Sequence, residues 1–268
     1  MSERVSVARH AGVADVRLNR PDKLNGLDAA MFEALVATGR ALAGDRALRA
    51  VVLSGEGRAF SAGLDFASFA AARAEGRAVR DLLAREPGEV ATFAQQAAWV
   101  WAELPVPVIA AVHGACFGGG LQIALAADIR LVAPDAQLSV MEVRWGLVPD
   151  MTGTQTLRHL VRLDVLKELA LTGRVVTGTE AVALGLATRL SATPRATALE
   201  LARELAARSP DAVRAGKRLL QRAVTAGLEE GLRLEERVQR ALLDGANHAE
   251  AVRANLERRP PRFEDPPA

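Results

Sequence analysis

Apolar and polar residues alternate in two short segments near the start of the chain. The alternation in Val5–Val7 and again in Val13–Leu18 predicts two strands, and Ala11–Gly12 between them predicts that the strands form a hairpin. Further along, Asp28 precedes an apolar series that has the spacing of a helix. A short acidic side chain accepts hydrogen bonds from the free N–H groups of a helix start, so Asp28 is the expected N-cap.

The middle of the chain alternates between short apolar runs and longer apolar series at helical spacing. Arg49–Ser54, Val108–Val112 and Asp128–Ala133 are typical of buried strands, whereas Phe93–Leu104 and Leu121–Ala127 are typical of helices. Strands that alternate with helices predict an α/β fold whose sheet is largely buried.

The rest of the chain carries mostly helical signals. Ser209-Pro210-Asp211 predicts the start of one helix with proline at its first position, and a charged amphipathic series runs from Leu228 to Glu257. We therefore expect a core over residues 1–195 and a helical C-terminal region over residues 196–268.

Composition and charge exclude several classes of protein. The 268 residues include one Cys and four His without metal-ligand spacing, so we expect no internal disulfide, no metal site and a reducing, cytoplasmic location. The first residues do not have the pattern of a secretory signal, and no apolar run reaches the roughly 20 residues that a membrane span requires. The 34 basic and 32 acidic residues are mixed along the chain, and the Arg258–Arg262 cluster is short, so nucleic-acid binding is not expected.

Two glycine-bearing segments are candidates for chemistry. Gly63 lies in Phe60–Phe66, just after a predicted strand, and Gly118–Gly120 opens the predicted Leu121–Ala127 helix. Taken singly, the first is explained by a strand-exit turn and the second by close contact of a helix with the sheet. Two backbone N–H groups from separate segments can also form an oxyanion hole for a carbonyl that gains charge. Neither segment has the glycine pattern of a dinucleotide site or a phosphate-binding loop.

Both segments belong to a longer, ordered set of motifs. The set consists of Asn19-Arg20-Pro21 with Lys23-Leu24-Asn25, Phe60-Ser61-Ala62-Gly63-Leu64-Asp65, His113-Gly114 with Gly118-Gly119-Gly120, Met141-Glu142 through Gly146-Leu147-Val148-Pro149, and Leu171-Thr172-Gly173 before Ala181 to Ala187. In this order the motifs resemble the crotonase (enoyl-CoA hydratase/isomerase) superfamily over roughly residues 5–265. The resemblance implies a crotonase-like spiral of ββα units with a helical C-terminal trimerisation region. It also implies an acyl-CoA thioester substrate, with coenzyme A as part of that substrate and no other cofactor.

The resemblance further implies roles for particular residues. The backbone N–H groups of Leu64 and Gly119 would be the oxyanion donors, and Glu142 would carry a proton. Coenzyme A would be recognised by residues of two segments, namely Lys23, Leu24, Asn25, Ala62 and Asp65.

The resemblance implies an assembly as well, either a homotrimer or a hexamer built as a dimer of trimers. On the amphipathic C-terminal helices, Leu228, Leu232 and Val238 would help to bury a seam between copies. Arg259 or Arg262 could then reach a phosphate of coenzyme A bound to a neighbouring subunit.

Two departures from the family pattern bear on the reaction. Hydratases of the family have a second glutamate where this chain has Gln122, and an amide can hold water but cannot exchange a proton near neutral pH. Asp150 lies where hydratases usually have glycine and dienoyl-CoA isomerases have aspartate. We therefore expect Glu142 to shift a C=C double bond, alone or in relay with Asp150. Hydration of a 2-enoyl-CoA is the alternative, and acyl-CoA binding without catalysis is the second alternative.

Simpler roles are open for the same residues. Glu142 could be a surface carboxylate at a strand end, Asp150 could cap a helix, and Gln122 could only hydrogen-bond the backbone. His113 is expected to hydrogen-bond within its turn, and Cys116 is expected to be a small buried thiol rather than a nucleophile.

Overall fold

The structure of the chain is a computed structural model that describes residues 3–76 and 80–266. In chain order, its strands are β1 (Val5–His10), β2 (Val13–Leu18), β3 (Ala50–Gly55), β4 (Val108–Val112), β5 (Ala115–Phe117), β6 (Ile129–Val132), β7 (Gln137–Ser139), β8 (Val176–Thr177) and β9 (Arg189–Leu190). Its helices are α1 (Ala29–Ala43), α2 (Phe66–Ala74), α3 (Phe93–Glu103), α4 (Gly119–Leu125), α5 (Gly153–Leu157), α6 (Leu163–Thr172), α7 (Gly178–Leu184), α8 (Pro194–Ala206), α9 (Pro210–Ala223), α10 (Leu228–Leu243) and α11 (Ala246–Glu257).

The strands form two sheets. The first has the order β1-β2-β3-β4-β6-β9, in which β1 is antiparallel to β2 and the other pairs are parallel. The second has the order β5-β7-β8, and an isolated bridge between Ser61 and Cys116 attaches the segment after β3 to it. The predicted α/β class and the hairpin of β1 and β2 are therefore confirmed.

Local sequence signals explain several of the helix starts. The Asp28 side chain accepts a hydrogen bond from Met31 N–H at 2.8 Å, as predicted for the N-cap of α1. Ser209 caps α9, and Pro210 occupies its first position, where the missing N–H removes no helical bond. The long series predicted over Leu228–Glu257 is divided into two helices, because the chain turns at Asp244–Gly245 between α10 and α11.

One prediction about the glycine-dense turn is wrong. Strand β5 lies within it, and α4 begins at Gly119 rather than at Leu121. The apolar pattern could not indicate these bounds, because glycine has no side chain that would mark a helix face. The earlier start matters for the site, since it makes the Gly119 amide the first of the helix.

The main sheet is buried on both faces, as its apolar runs predict. Val51 and Leu53 of β3 pack into the core cluster that also contains α1 and α3, whereas the alternate residue Val52 faces the opposite side. There it joins the cluster formed with Ala198 and Ala202 of α8. This is the period-two alternation of a strand covered from both sides.

The packing of α8 corrects the boundary proposed between residues 195 and 196. That boundary falls inside α8, which covers one face of the sheet, so the core extends at least to Ala206. The C-terminal helix α9 is also attached to the core, because Lys217 Nζ lies 2.8 Å from Asp128 Oδ2 and 3.0 Å from Val106 O.

The helices α10 and α11 expose apolar side chains. Leu228 and Leu232 are exposed, whereas Val238 is buried within the chain itself. No helix within residues 3–76 and 80–266 is long and apolar enough to span a membrane. The same residues contain no cluster of His, Cys, Asp or Glu that could hold a metal ion.

The contact of α8 with the sheet yields a stability prediction. Ala198→Asp places a carboxylate at a fully buried position against the sheet, so urea unfolding should show a loss of more than about 2 kcal/mol. The matched control is Ala196→Asp, which is exposed in the first turn of the same helix and should change stability by no more than about 0.5 kcal/mol. Equal effects of the two substitutions would contradict the proposed packing of α8.

Candidate active site

The two predicted oxyanion donors lie on backbone segments that approach each other closely. Gly63 has φ +84°, and a Cβ atom on it would lie 2.7 Å from Phe117 O and 3.7 Å from the Gly119 nitrogen. Only glycine tolerates both the backbone conformation and the contact. The peptide group between Gly63 and Leu64 is therefore a neighbour of the first amide of α4.

Within the described residues, the backbone hydrogen bonds around the two amides do not use the N–H of Leu64 or of Gly119. In the bridge between Leu27 and Leu64, Leu27 N–H donates to Gly63 O at 2.8 Å and Asp65 N–H donates to Leu27 O at 3.1 Å. This register leaves Leu64 N–H unused by the bridge. Gly119 is the first residue of α4, where an N–H group has no acceptor within its own helix.

Glu142 lies beside the segment that carries the second of these amides, in a single turn of 3₁₀ helix that follows β7. Its Oε1 atom lies 3.5 Å from the position that a Cβ on Gly118 would occupy, immediately before the donor Gly119. Glu142 is only 8% exposed, and its Oε2 atom has no hydrogen-bond partner among the described residues. The structure thus contradicts the alternative that Glu142 is a surface carboxylate.

Gln122 orients Glu142. Its Oε1 atom accepts hydrogen bonds from Met151 N–H at 2.8 Å and Gly153 N–H at 2.9 Å. Because two donors define the carbonyl end of the amide, the Nε2 group must be the end that donates to Glu142 Oε1, at 2.5 Å. The side chain therefore bonds the backbone, as one alternative held, and in addition positions one oxygen of the carboxylate while leaving the other oxygen free.

Burial shifts the protonation equilibria of both carboxyl groups. Desolvation raises the pKa of Glu142, the hydrogen bond from Gln122 opposes this rise, and the nearby charge of Asp150 adds to it. Asp150 remains accessible to solvent, yet partial desolvation of its carboxyl also raises its pKa. The alternative role of Asp150 as a helix cap is wrong, because Thr152 is the N-cap of α5 and no side chain makes a cap hydrogen bond there.

The predicted coenzyme A loop is held by interactions within the protein. Asn25 is fully buried, its Oδ1 accepts from Arg20 N–H at 2.8 Å, and its Nδ2 donates to Glu56 O at 2.9 Å and Ala59 O at 2.8 Å. These bonds occupy the side chain, and a contact of Asn25 with coenzyme A stays a prediction. Asn25 instead supports the loop.

The remaining residues of this loop are more accessible. Lys23 is exposed, and Leu24 adopts a left-handed conformation with φ +50°. Leu24 O accepts a hydrogen bond from Ala62 N–H at 2.9 Å. The two segments predicted to bind coenzyme A are therefore neighbours.

Asp65 also has a structural task that the sequence did not indicate. It caps α2 through Ser68 N–H at 3.0 Å and accepts from Arg20 Nη1 at 2.7 Å. Desolvation alone would raise its pKa, but the hydrogen bonds from Ser68 and Arg20 outweigh this effect and lower the pKa to about 2. The carboxylate is thus paired within the protein, and a contact of Asp65 with coenzyme A stays a prediction. Arg20 joins the two segments, a role that its motif did not indicate.

Other polar residues near the site have structural partners, although the partner of His113 lies outside the turn where it was expected. Ser61 Oγ donates to Asn25 O at 2.9 Å and accepts from Gly63 N–H at 3.2 Å. His113 Nε2 lies 3.0 Å from Gly57 O. Cys116 is fully buried, which raises the pKa of its thiol and keeps it protonated.

The C-terminal arginines differ in their availability. Arg259 forms ion pairs with Glu250 and Glu257, each at 2.6 Å, whereas the exposed Arg262 binds Glu250 only through its backbone N–H. Within this chain, Arg262 is therefore the more available guanidinium for a phosphate.

The sequence also failed to indicate an aromatic pair at the site. The ring of Phe66, at the start of α2, stacks on Trp145 with a centroid distance of 4.5 Å and an interplanar angle of 29°. Phe66 is the last residue of the Phe60–Phe66 segment, and Trp145 lies in the turn that carries Glu142. No local signal in the sequence predicts that the two rings touch.

Known proteins resemble this chain over nearly its whole length. A family model described as Enoyl-CoA hydratase/isomerase matches residues 8–266. A probable enoyl-CoA hydratase of Bacillus subtilis is 33% identical over 263 residues, covering 97% of this chain and 98% of that protein. Human mitochondrial methylglutaconyl-CoA hydratase is 31% identical over 263 residues, covering 94% of this chain and 74% of that protein.

The similarity extends to solved structures. The crystal structure of an enoyl-CoA hydratase from Bacillus anthracis superposes with a TM-score of 0.86 at 28% identity, covering 97% of this chain and 98% of that one. The chain therefore belongs to the enoyl-CoA hydratase/isomerase family of enzymes, which act on acyl-CoA thioesters.

Proposed function

We propose that the protein is an enoyl-CoA isomerase that shifts a C=C double bond through an enolate. The observation that carries the proposal is the pairing of a single buried carboxylate, Glu142, with an amide, Gln122, whose orientation is set by two backbone N–H groups. One oxygen of Glu142 is held by this amide, and the other is free to take a proton. Gln122 stands where hydratases of the family have a second carboxylate, and its amide cannot exchange protons near neutral pH.

The chemistry proceeds in two proton transfers. With the thioester oxygen between the amides of Leu64 and Gly119, Glu142 Oε2 removes a proton from C2 of a 3-enoyl group. The electron pair of the C–H bond moves into a dienolate, and the two N–H groups stabilise the charge on the thioester oxygen. Return of the proton to C4 yields the 2-enoyl thioester and restores the Glu142 carboxylate. In the relay, Asp150 in its protonated form supplies the proton at C4, and Glu142 then passes the proton taken from C2 to Asp150, which restores both groups; the raised pKa of Asp150 favours this route.

Hydration of a 2-enoyl-CoA is the second candidate. The names of the Bacillus subtilis and human relatives favour it. Here Gln122 would only hold a water molecule, and Glu142 would have to serve both proton transfers, which makes hydration the slower reaction in this site.

Recognition of coenzyme A and assembly are part of the proposal. The exposed Lys23 and the backbone of Leu24 and Ala62 form the surface offered to coenzyme A, held in place by Arg20. The apolar side chains left exposed on the C-terminal helices, including Leu228 and Leu232, support association into a trimer or a hexamer.

Removal of the carboxylate tests the role of Glu142. Glu142→Gln keeps the size of the side chain but removes its basicity, so double-bond migration in a 3-enoyl-CoA should slow by about 10²- to 10⁴-fold. Binding of butyryl-CoA, measured by calorimetry, should persist. Glu33→Gln, an exposed change on α1, is the control and should leave the rate unchanged. Migration at the wild-type rate in Glu142→Gln would exclude Glu142 as the proton carrier.

The pH dependence should reveal the influence of Asp150. The reaction needs ionised Glu142, whose raised pKa places the loss of kcat/KM on acidification at a higher pH than for an ordinary glutamate. Asp150→Asn removes a nearby negative charge, lowers the pKa of Glu142 and should move this acid limb to lower pH. An unchanged limb would show that the two carboxyl groups do not interact, and a limb moved to higher pH would contradict the proposed effect of the Asp150 charge.

Restoring a second carboxylate should change the product. Gln122→Glu places a carboxyl group next to Glu142, where the two share a proton, and hydration of crotonyl-CoA should rise relative to isomerisation. Gln122→Met keeps the volume without the hydrogen bonds and should lower both activities. A wild-type protein that hydrates crotonyl-CoA faster than Gln122→Glu would favour the hydratase assignment.

A further inference from the structure

The aromatic pair of Phe66 and Trp145 connects the two halves of the site. Phe66 follows the donor residue Leu64 by two positions, and its N–H donates to Leu64 O at 3.2 Å. Trp145 lies in the same 3₁₀ turn as Glu142. Their ring contact therefore joins the segment that supplies an oxyanion donor to the segment that supplies the base.

Both rings are held firmly at their backbones. On one side, the Asp65 cap and its bond to Arg20 anchor the start of α2, where Phe66 lies. On the other side, Leu147 N–H donates to Glu142 O at 3.0 Å, and Gly146 N–H closes the turn around Trp145. The stack is thus a contact between two anchored segments, and the distance between them depends on ring size.

Trp145 is nevertheless 59% exposed, although it belongs to a turn whose first residue, Glu142, is buried. Burial by the chain alone does not account for a large apolar ring at this place. The exposed part of a ring that belongs to the same turn as Glu142 offers a flat contact surface to a ligand of the site.

We propose that Phe66 and Trp145 form a specificity-determining pair that sets the spacing between the Leu64 amide and Glu142. In addition, the open face of Trp145 forms a wall against the part of the acyl group next to the reacting carbon. This inference rests on the proposed function. The planar C3=C4 unit of an unbranched 3-enoyl group lies flat against such a wall, whereas a methyl branch on the tetrahedral C2 stands out of that plane. The pair therefore selects planar, unbranched acyl groups.

Kinetics of Trp145 variants test the pair. Trp145→Ala removes the stack at an exposed position, so the protein should remain folded while kcat for an unbranched 3-enoyl-CoA falls about tenfold to a hundredfold. The ratio of kcat/KM for a 2-methyl-branched 3-enoyl-CoA to that for the unbranched one should rise, since the wall is gone. Trp145→Phe retains a ring and should keep most of the wild-type kcat. An unchanged kcat and an unchanged ratio in Trp145→Ala would overturn the proposal.

Fluorescence separates this inference from the proposed function. Titration of the wild-type protein with butyryl-CoA should change its tryptophan emission, and the change should be lost in Trp145→Phe. Trp99→Phe, a partly buried position on α3, is the matched control and should retain the change. An emission response that persists in Trp145→Phe means that the ligand does not contact Trp145, whereas a Trp145-dependent response without isomerisation would refute only the proposed reaction.

Discussion

The close approach of two backbone segments at Gly63 and Gly119 is the constraint on which the site depends. A Cβ on Gly63 would lie within 2.7 Å of Phe117 O, so any other residue would separate the segments and pull the Leu64 amide away from α4. Hydrogen bonds of Leu27 to both sides of Leu64 hold one segment. The first turn of α4 presents the other amide along the positive end of the helix dipole, where negative charge is favoured.

The reactivity of the site follows from how its single buried carboxylate is held. Gln122 receives two backbone hydrogen bonds from the start of α5 and donates one hydrogen bond to Glu142, so the position of this carboxylate is coupled to the loop that carries Asp150. Because an amide is neutral, Gln122 positions Glu142 without adding a charge to the site. A glutamate in its place would bring two carboxylates together and force them to share a proton, which would change the chemistry available to the same backbone frame.

Polar side chains near the predicted coenzyme A loop form hydrogen bonds within the protein. Arg20 binds Asp65 and the loop backbone, and Asn25 uses its whole side chain inside the fold. Such buried groups must find partners, because leaving them unpaired would cost more than their hydrogen bonds contribute. Residues of one motif thus divide into those that support a surface and those that present it, a division invisible in the motif itself.

The sequence alone determined most of the central strands and helices and the ordered motifs. Asp28 as a helix cap, the alternation in β3 and the fold class follow from neighbours along the chain, since caps and side-chain periodicity are local properties. Only the tertiary structure decided that α8 completes the core and that Gln122 donates to Glu142. These contacts join residues that are far apart in the chain. The type of a side chain determines which hydrogen bonds it can make, but only the packing of the fold determines which partner lies within reach.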